Sequence, residues 1–391
     1  MRWFLRTADG SPVVLLTVIG LCSVLACNRA DGKALRVGYF HGGRTALLMR
    51  AYERHEFKKR GLRVEFFSRD LRRQDYRLVP PSIRDFNKGG TEIIGKVRGT
   101  ELIAALLEGK FDLAMVGESS FVAAIHDGKP IVAIAELGHD VKGHSGHVFL
   151  MRKGLRAKQP RDYLGKVLVS RRAGAGDSIS LKEYLEQAGV DLQAAVLQLP
   201  ALPRSLAEKS ALPKNKVLIA DQVLEDEMKA GIANGVIDGG YFHLMSVPGM
   251  IGAFDIIRPL HEWSNPELSQ ALLVCRKSAL AEDRERLIAF LEVYIRRIRY
   301  EHGLDYRERT KPGGKGLQMA ANIFGLNYPQ YDIPPTVDSA LLRETARLLR
   351  KHGVIDSQDF PLRDFIDNSL ILQAMENAGL GGKAAPPRPA F

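Results

Sequence analysis

The stretch that most constrains this chain is residues 99–137, GTELIAALLEGKFDLAMVGESSFVAAIHDGKPIVAIAEL. Leu102, Ile103, Leu106 and Leu107 recur at helical spacing on one face of a short helix. Gly109 closes that helix, and 112–116 (DLAMV) follows as a short apolar run, the pattern of a strand covered on both faces of a parallel sheet. Gly117 breaks the run. Ser119 or Ser120 then caps a second helix whose Phe121, Ala124 and Ile125 point inward. After the turn at Asp127-Gly128, residues 130–137 supply another buried strand. Helix, strand, helix and strand on two- or three-residue links make an open α/β sheet.

A second copy of that rhythm lies in 230–260. Gly235-Val236-Ile237-Asp238 matches Gly109-Lys110-Phe111-Asp112, between a helix end and a strand. Two related α/β lobes in one chain are therefore expected. The 391 residues are ample for two such lobes, and 45% hydrophobic content is that of a packed globular protein.

The N-terminus reads as a leader rather than part of the fold. Arg2 and Arg6 precede an apolar core at 13–21, and SVLAC follows at 23–27. Val-Leu-Ala-Cys resembles a bacterial lipobox, with Leu25 less usual than a small residue. The resemblance implies lipidation of Cys27 and a membrane tether, on the periplasmic side or the outer face of the cytoplasmic membrane. Ordinary secretion with cleavage nearby is the alternative, and both put the working compartment outside the cytoplasm. Beyond the leader no apolar run reaches the roughly eighteen residues a span needs. Of three cysteines only Cys275 remains, too few for an internal disulfide or a zinc or iron–sulfur ligand set. The formal charge is +11; residues 1–26 carry Arg2, Arg6 and Asp9, so the chain after the leader is near +10. Residues 50–77 hold ten Lys or Arg against five Asp or Glu. No interleaved aromatic array accompanies them, so this is a solvated face near anionic lipid or polymer, not a nucleic-acid interface.

In chain order the pattern predicts a strand at 35–40, a tight turn at 41–43, a helix at 44–59 and a strand at 62–67. A thirty-residue loop at 68–98 follows, of lid or binding-loop length. Further strands are expected at 148–153, KVLVS and 192–199, with a glycine-rich turn at RRAGAGDS leading to a helix at 179–188. A helix is expected at 221–234 and a strand at 268–277. Helices over 281–302, 339–352 and 362–378 and a disordered Gly/Pro/Ala-rich tail complete the chain.

Several of these segments together resemble the periplasmic substrate-binding proteins of ABC transporters, in the branch that takes up sulfonates, taurine and nitrate. VGYF…RAYERHEFKKRGLRVEFF is similar to that family's opening. GTELIAALLEGKFDLAMVGESSFVAA is similar to its helix, G-x-x-D, strand and helix segment, PRDYLGKVLVS to its D-L-x-G-K step, and GAGDSISLKEYLEQAG to its following helix start. The likeness covers roughly residues 35–303. It implies a two-lobe α/β fold of type II, each lobe an open sheet flanked by helices, with crossing strands at 147–153 and 268–277 as the hinge. The expected layout is a leader at 1–26, a tether at 27–34, lobe one at 35–146 plus 268–380, lobe two at 147–267 and a tail at 381–391. It further implies no catalysis, no cofactor, a small solute held between the lobes, ABC permease subunits as partners and a monomer.

Independently of that likeness, ligands of open α/β sheets sit beyond the strands' carboxyl ends, where helix amino ends converge. This picks out Tyr39, His41, Glu118, Ser119, Ser120, His139, Gly176, Ser178, Asp238 and Tyr241. Helix-start N–H groups favour an anion such as sulfonate, nitrate or carboxylate. Each serine either caps its own helix or meets solute, and Tyr39 and Tyr241 either wall the ligand or belong to the core. His139, Asp140, His144 and His147 lack metal-ligand spacing, so no metal is expected. Arg44 is either a surface arginine or a partner for an anionic group. Two other readings stay open. One is a solute-sensing module without a transporter. The other is an enzyme on the same fold, resembling the pyrimidine-precursor synthases, whose clustered-cysteine motif this chain lacks.

Overall fold

A computed structural model describes residues 33–40, 45–70, 75–81, 98–139, 147–152, 154–155, 158–171, 175–223, 225–243, 256–258, 271–303 and 334–380. In chain order the first group of elements is β1 (Leu35–Gly38), α1 (Ala46–Glu53), α2 (Glu56–Lys59), β2 (Val64–Asp70), β3 (Asp75–Leu78), α3 (Gly99–Leu107), β4 (Leu113–Gly117), α4 (Glu118–His126) and β5 (Ile131–Glu136). The second group is β6 (His147–Met151), β7 (Val167–Arg171), α5 (Ala175–Gln187), α6 (Leu192–Ala195), β8 (Val196–Gln198), α7 (Leu206–Ser210), β9 (Val217–Val223), α8 (Glu225–Ala233), β10 (Gly239–His243) and β11 (Ile256–Arg258). The chain then returns through β12 (Ala271–Arg276), α9 (Ala279–Glu282), α10 (Arg284–Gly303), α11 (Ser339–Lys351) and α12 (Ser369–Asn377).

Two sheets result, ordered β3-β2-β1-β4-β12-β5 and β11-β6-β10-β7-β9-β8. Each is apolar on both faces. Along β4, Leu113 and Met115 enter the core beneath α1, α10 and α12, while Ala114 and Val116 enter the core beneath α3, α4 and α11. In the second sheet Val167 and Val169 join the α8 side, and Leu168 joins Leu181 and Leu185 of α5. Alternation of this kind, with apolar residues on both sides, is what a run such as LAMV encodes.

The repeat seen in the sequence is a repeat in space. Asp112 N donates to Arg36 O while the Asp112 carboxylate accepts from Arg36 N at 2.8 Å. Asp238 N donates to Val167 O while its carboxylate accepts from Val167 N at 2.9 Å. In both lobes a glycine with positive φ, Gly109 at 75° and Gly235 at 79°, ends the helix three residues earlier. Each aspartate thus pins the amino end of its own strand to the amino end of the parallel neighbour.

Several expectations are corrected. The helix at 44–59 is two helices, because His55 adopts φ 56° in the left-handed region and breaks the run. The loop at 68–98 opens as a hairpin: β2 continues to Asp70 and pairs antiparallel with β3, an exposed edge strand too polar to read as one. Residues 82–97 lie outside the described residues. Residues 192–199 begin with a helical turn, since the Asp191 carboxylate accepts from Gln193 N and Ala194 N, and only Val196–Gln198 is strand. The helix expected at 221–234 starts at Glu225; before it runs β9, an interior strand that the sequence reading missed. The helix expected at 179–188 begins at Ala175. Residues 362–378 divide into a 3₁₀ turn at Leu362–Phe365 and α12, because Ile366 bridges to Ala133 at the sheet edge. The strands expected to cross, 147–153 and 268–277, each serve one sheet: β6 lies in the second and β12 lies antiparallel between β4 and β5 in the first. The chain changes sheet between β5 and β6 and between β11 and β12. Among the described residues no helix is long and apolar enough to cross a membrane. The leader with Cys27 and the tail at 381–391 lie outside the described residues.

Candidate functional site

The two lobes meet where α4 and α5 begin. Strand β4 runs straight into α4, whose N-cap is Gly117, in extended backbone at φ −69° and ψ 149°. A glycine has no side chain to accept from the first-turn N–H groups, and α4 has no side-chain cap. Helix α5 starts after β7, at the same end of the other sheet. A Cβ placed on Gly176 would lie 3.2 Å from both Glu118 Oε1 and Ser119 Oγ. Two helix amino ends from two sheets therefore touch, with Glu118 and Asp177 as the acidic residues of the two first turns.

Of the ten residues singled out from sequence, the structure brings Glu118, Ser119 and Gly176 together. Neither Ser119 nor Ser120 is a cap, because the helix already begins at Glu118. Ser120 packs inward: a Cβ on Gly99 would meet its Oγ at 2.6 Å, so it faces the start of α3. Ser178 lies inside α5, 8% exposed, rather than at its first residue. Tyr39 is core. Its hydroxyl donates to Val79 O at 3.1 Å, its ring meets Phe66 edge-on, and burial pushes its pKa up. Tyr241 is core as well, among Phe149, Tyr163 and Leu168 beneath α5. Asp238 is corrected from a ligand residue to a structural one. It precedes β10, at the amino end of a strand parallel to β7 and so opposite the helix starts, and it pairs with Arg152 at 2.8 Å and Lys209 at 2.7 Å. His41, Arg44, Asp140 and His144 lie outside the described residues, as does the side chain of His147.

His139 is 6% exposed just beyond β5, and its Nδ1 lies 3.2 Å from Glu136 Oε2. Glu136, 3% exposed, closes an otherwise apolar strand. Its backbone is held by Tyr294, whose hydroxyl donates to Glu136 O at 2.9 Å. Sequence reasoning missed this acid; the signal was a lone charge at the carboxyl end of IVAIAE. The thiol of Cys275, buried in β12, is pushed up to about 12 by burial and is no thiolate at neutral pH.

Known proteins now bear on this arrangement. In the solved structures, the periplasmic aliphatic sulphonate binding protein SsuA of Escherichia coli matches with a TM-score of 0.52 at 14% identity, over 85% of this chain and 92% of that one. A periplasmic sulfonate-binding SsuA of Methylobacillus flagellatus KT matches at 0.55 and 13%, over 91% and 99%. The periplasmic nitrate-binding protein NrtA of Synechocystis PCC 6803 matches at 0.55 and 11%, over 88% of each. Compared with curated protein sequences, the chain has no match. The chain thus has the two-lobe fold of the periplasmic substrate-binding proteins. Within it, residues 91–199 match the family described as NMT1/THI5 like, a stretch that carries α3, α4, the start of α5 and both sides of the contact just described.

Proposed function

We propose that this protein is an extracytoplasmic solute-binding lipoprotein that captures a small solute between its lobes and delivers it to an ABC permease. The observation that carries the reading is the convergence of the α4 and α5 amino ends, one from each sheet, at Glu118, Ser119 and Gly176. Sites of this kind need a closing cleft and no chemistry. The inert Cys275 thiol agrees with binding rather than thiol catalysis. Lobe one is taken as 35–146 plus 268–380 and lobe two as 147–267, with lipid at Cys27 tethering a monomer to the membrane.

The uncapped first turn of α4 favours an anionic group on the solute. Glu118 and Asp177 stand in the same first turns, so an additional donor on the solute is accommodated. Aminosulfonates and amino acids meet both requirements, and the sulfonate and nitrate relatives make these anions the first to test. In thermal-shift screening of the purified protein against sulfonates, taurine, nitrate, carboxylates, amino acids and pyrimidines, a true solute at a hundredfold its Kd adds about 2.7 kcal/mol, a shift of several degrees. A flat melting point across the whole panel overturns the reading.

A further inference from the structure

Helix α5 belongs to the second sheet but divides its surface between the lobes. Leu181 and Leu185 sit in the second-lobe core, with Tyr184 and Ala188 packed against it. Gly176, Ile179, Glu183 and Glu186 occupy the opposite side, within an arc of about 80° at 3.6 residues per turn. Every one of these four meets the first lobe. Gly176 abuts Glu118 and Ser119. Ile179 is buried in the core formed with Phe121, Val337 and Leu342. Glu183 and Glu186 face α11, the first-lobe helix whose last residue is Lys351.

At that end the contact is ionic. Lys351 Nζ donates to both Glu183 and Glu186, and His352 Nε2 lies 2.7 Å from Glu183 Oε1. For that nitrogen to meet an ionised carboxylate at 2.7 Å it must carry a hydrogen, as the neutral Nε2–H tautomer or as imidazolium. The His352 and Glu183 side chains are 6% and 11% exposed. Burial raises the Glu183 pKa, but the hydrogen bonds from His352 and Lys351 outweigh it and hold the carboxyl below its ordinary range. The ligating atoms of Glu183, Glu186 and His352 lie within 4.8 Å of one another, near enough for a divalent ion. The Lys351 ammonium already fills the space between the carboxylates, so the cluster supplies its own cation.

We propose that Glu183, Glu186, Lys351 and His352 form an interlobe ionic latch, which sets how often the lobes part and does so from the far end of α5, remote from the site at its amino end. The latch rests on the two-sheet architecture and not on the identity of any solute. A lobe that swings about its chain crossings must draw Glu183 away from Lys351, whereas contacts inside either lobe persist.

The test is single-molecule fluorescence energy transfer on the solute-free protein, with dyes on unnatural residues at the exposed positions 108 and 206, one in each lobe. Lys351→Met and Glu183→Gln are each expected to raise the open-to-closed ratio about tenfold, while Lys351→Arg stays near wild type. Raising the salt from 0.05 to 0.5 M is expected to move wild type toward open and to move Lys351→Met less, since the half-exposed Lys351–Glu186 pair is the part of the latch that salt screens, while the buried His352–Glu183 contact persists in both proteins. A wild-type distribution indifferent to salt, or a Lys351→Met protein matching wild type, overturns the latch. The salt arm needs no substitution, so a variant that fails to fold does not rescue the idea. Failure of the solute screen would leave this result standing.

Discussion

Replacing Asp238 separates a clamp from a ligand contact. Its side chain is 3% exposed and accepts from Val167 N, Arg152 Nη2 and Lys209 Nζ. Asp238→Ala leaves the fully buried Val167 with an orphaned N–H, which costs about 1–3 kcal/mol. It also strips the counter-charge from Lys209, 12% exposed, and from Arg152, 31% exposed. Losing one partner of a buried pair costs about 3–5 kcal/mol, and the solvent available to Arg152 trims that figure. The sum is about 4 kcal/mol. At 2–4 °C per kcal/mol for a domain of this size the melting point falls by roughly 10 °C. Asp238→Asn keeps an oxygen for Val167 N–H and is expected to cost about half as much. Differential scanning calorimetry reads both. Melting points within 2 °C of wild type for the alanine variant would refute the clamp.

Two further outcomes follow from the same geometry. Burial raises the Asp112 pKa, but hydrogen bonds from the Arg36 side chain and backbone, together with the Arg36 charge, hold the carboxyl below its ordinary range. Its stabilisation is therefore complete above the unfolded value of about 3.9 and is lost as pH falls through the folded value. In urea titrations the gap between wild type and Asp112→Asn should be constant above about pH 5 and shrink below pH 4; a gap that widens in acid contradicts this. At Gly240, a Cβ would lie 2.3 Å from Val169 O, a backbone atom that cannot step aside, so Gly240→Ala should cost about 3 kcal/mol. Gly353, at φ +71° with nothing within 4 Å of the added atom, should cost only about 1 kcal/mol on conversion to alanine. Equal losses at the two glycines would refute the steric account.

What the sequence determined by itself is local and periodic. Residues 99–137 form the helix, strand, helix and strand read for them, because LAMV and IVAIAE are apolar on both faces and Gly109, Gly117 and Gly128 punctuate them. The parallel sheet and the serine cap read there do not hold, since β4 and β5 each pair antiparallel with β12 and α4 begins at Glu118. The match of Asp112 with Asp238 was legible too, as spacing. The strand β3 was not, because an exposed edge strand carries no apolar alternation, and β9 was masked by the polar Asp221 and Gln222 that follow VLIA.

Only the tertiary structure decided what each candidate residue does. Asp238 and Ser178 carry the polar chemistry of a ligand contact in any linear reading, yet one clamps the amino end of a strand and the other is buried within α5. Tyr39 and Tyr241 became core because their neighbours, Phe66 and Phe149, arrive from other strands. The meeting of Gly176 with Glu118, and of Lys351 with Glu183 from 168 residues away, depends on how two sheets are set against each other. Hydrophobic periodicity tells a helix which face to bury; it does not say which of two lobes lies against the other face.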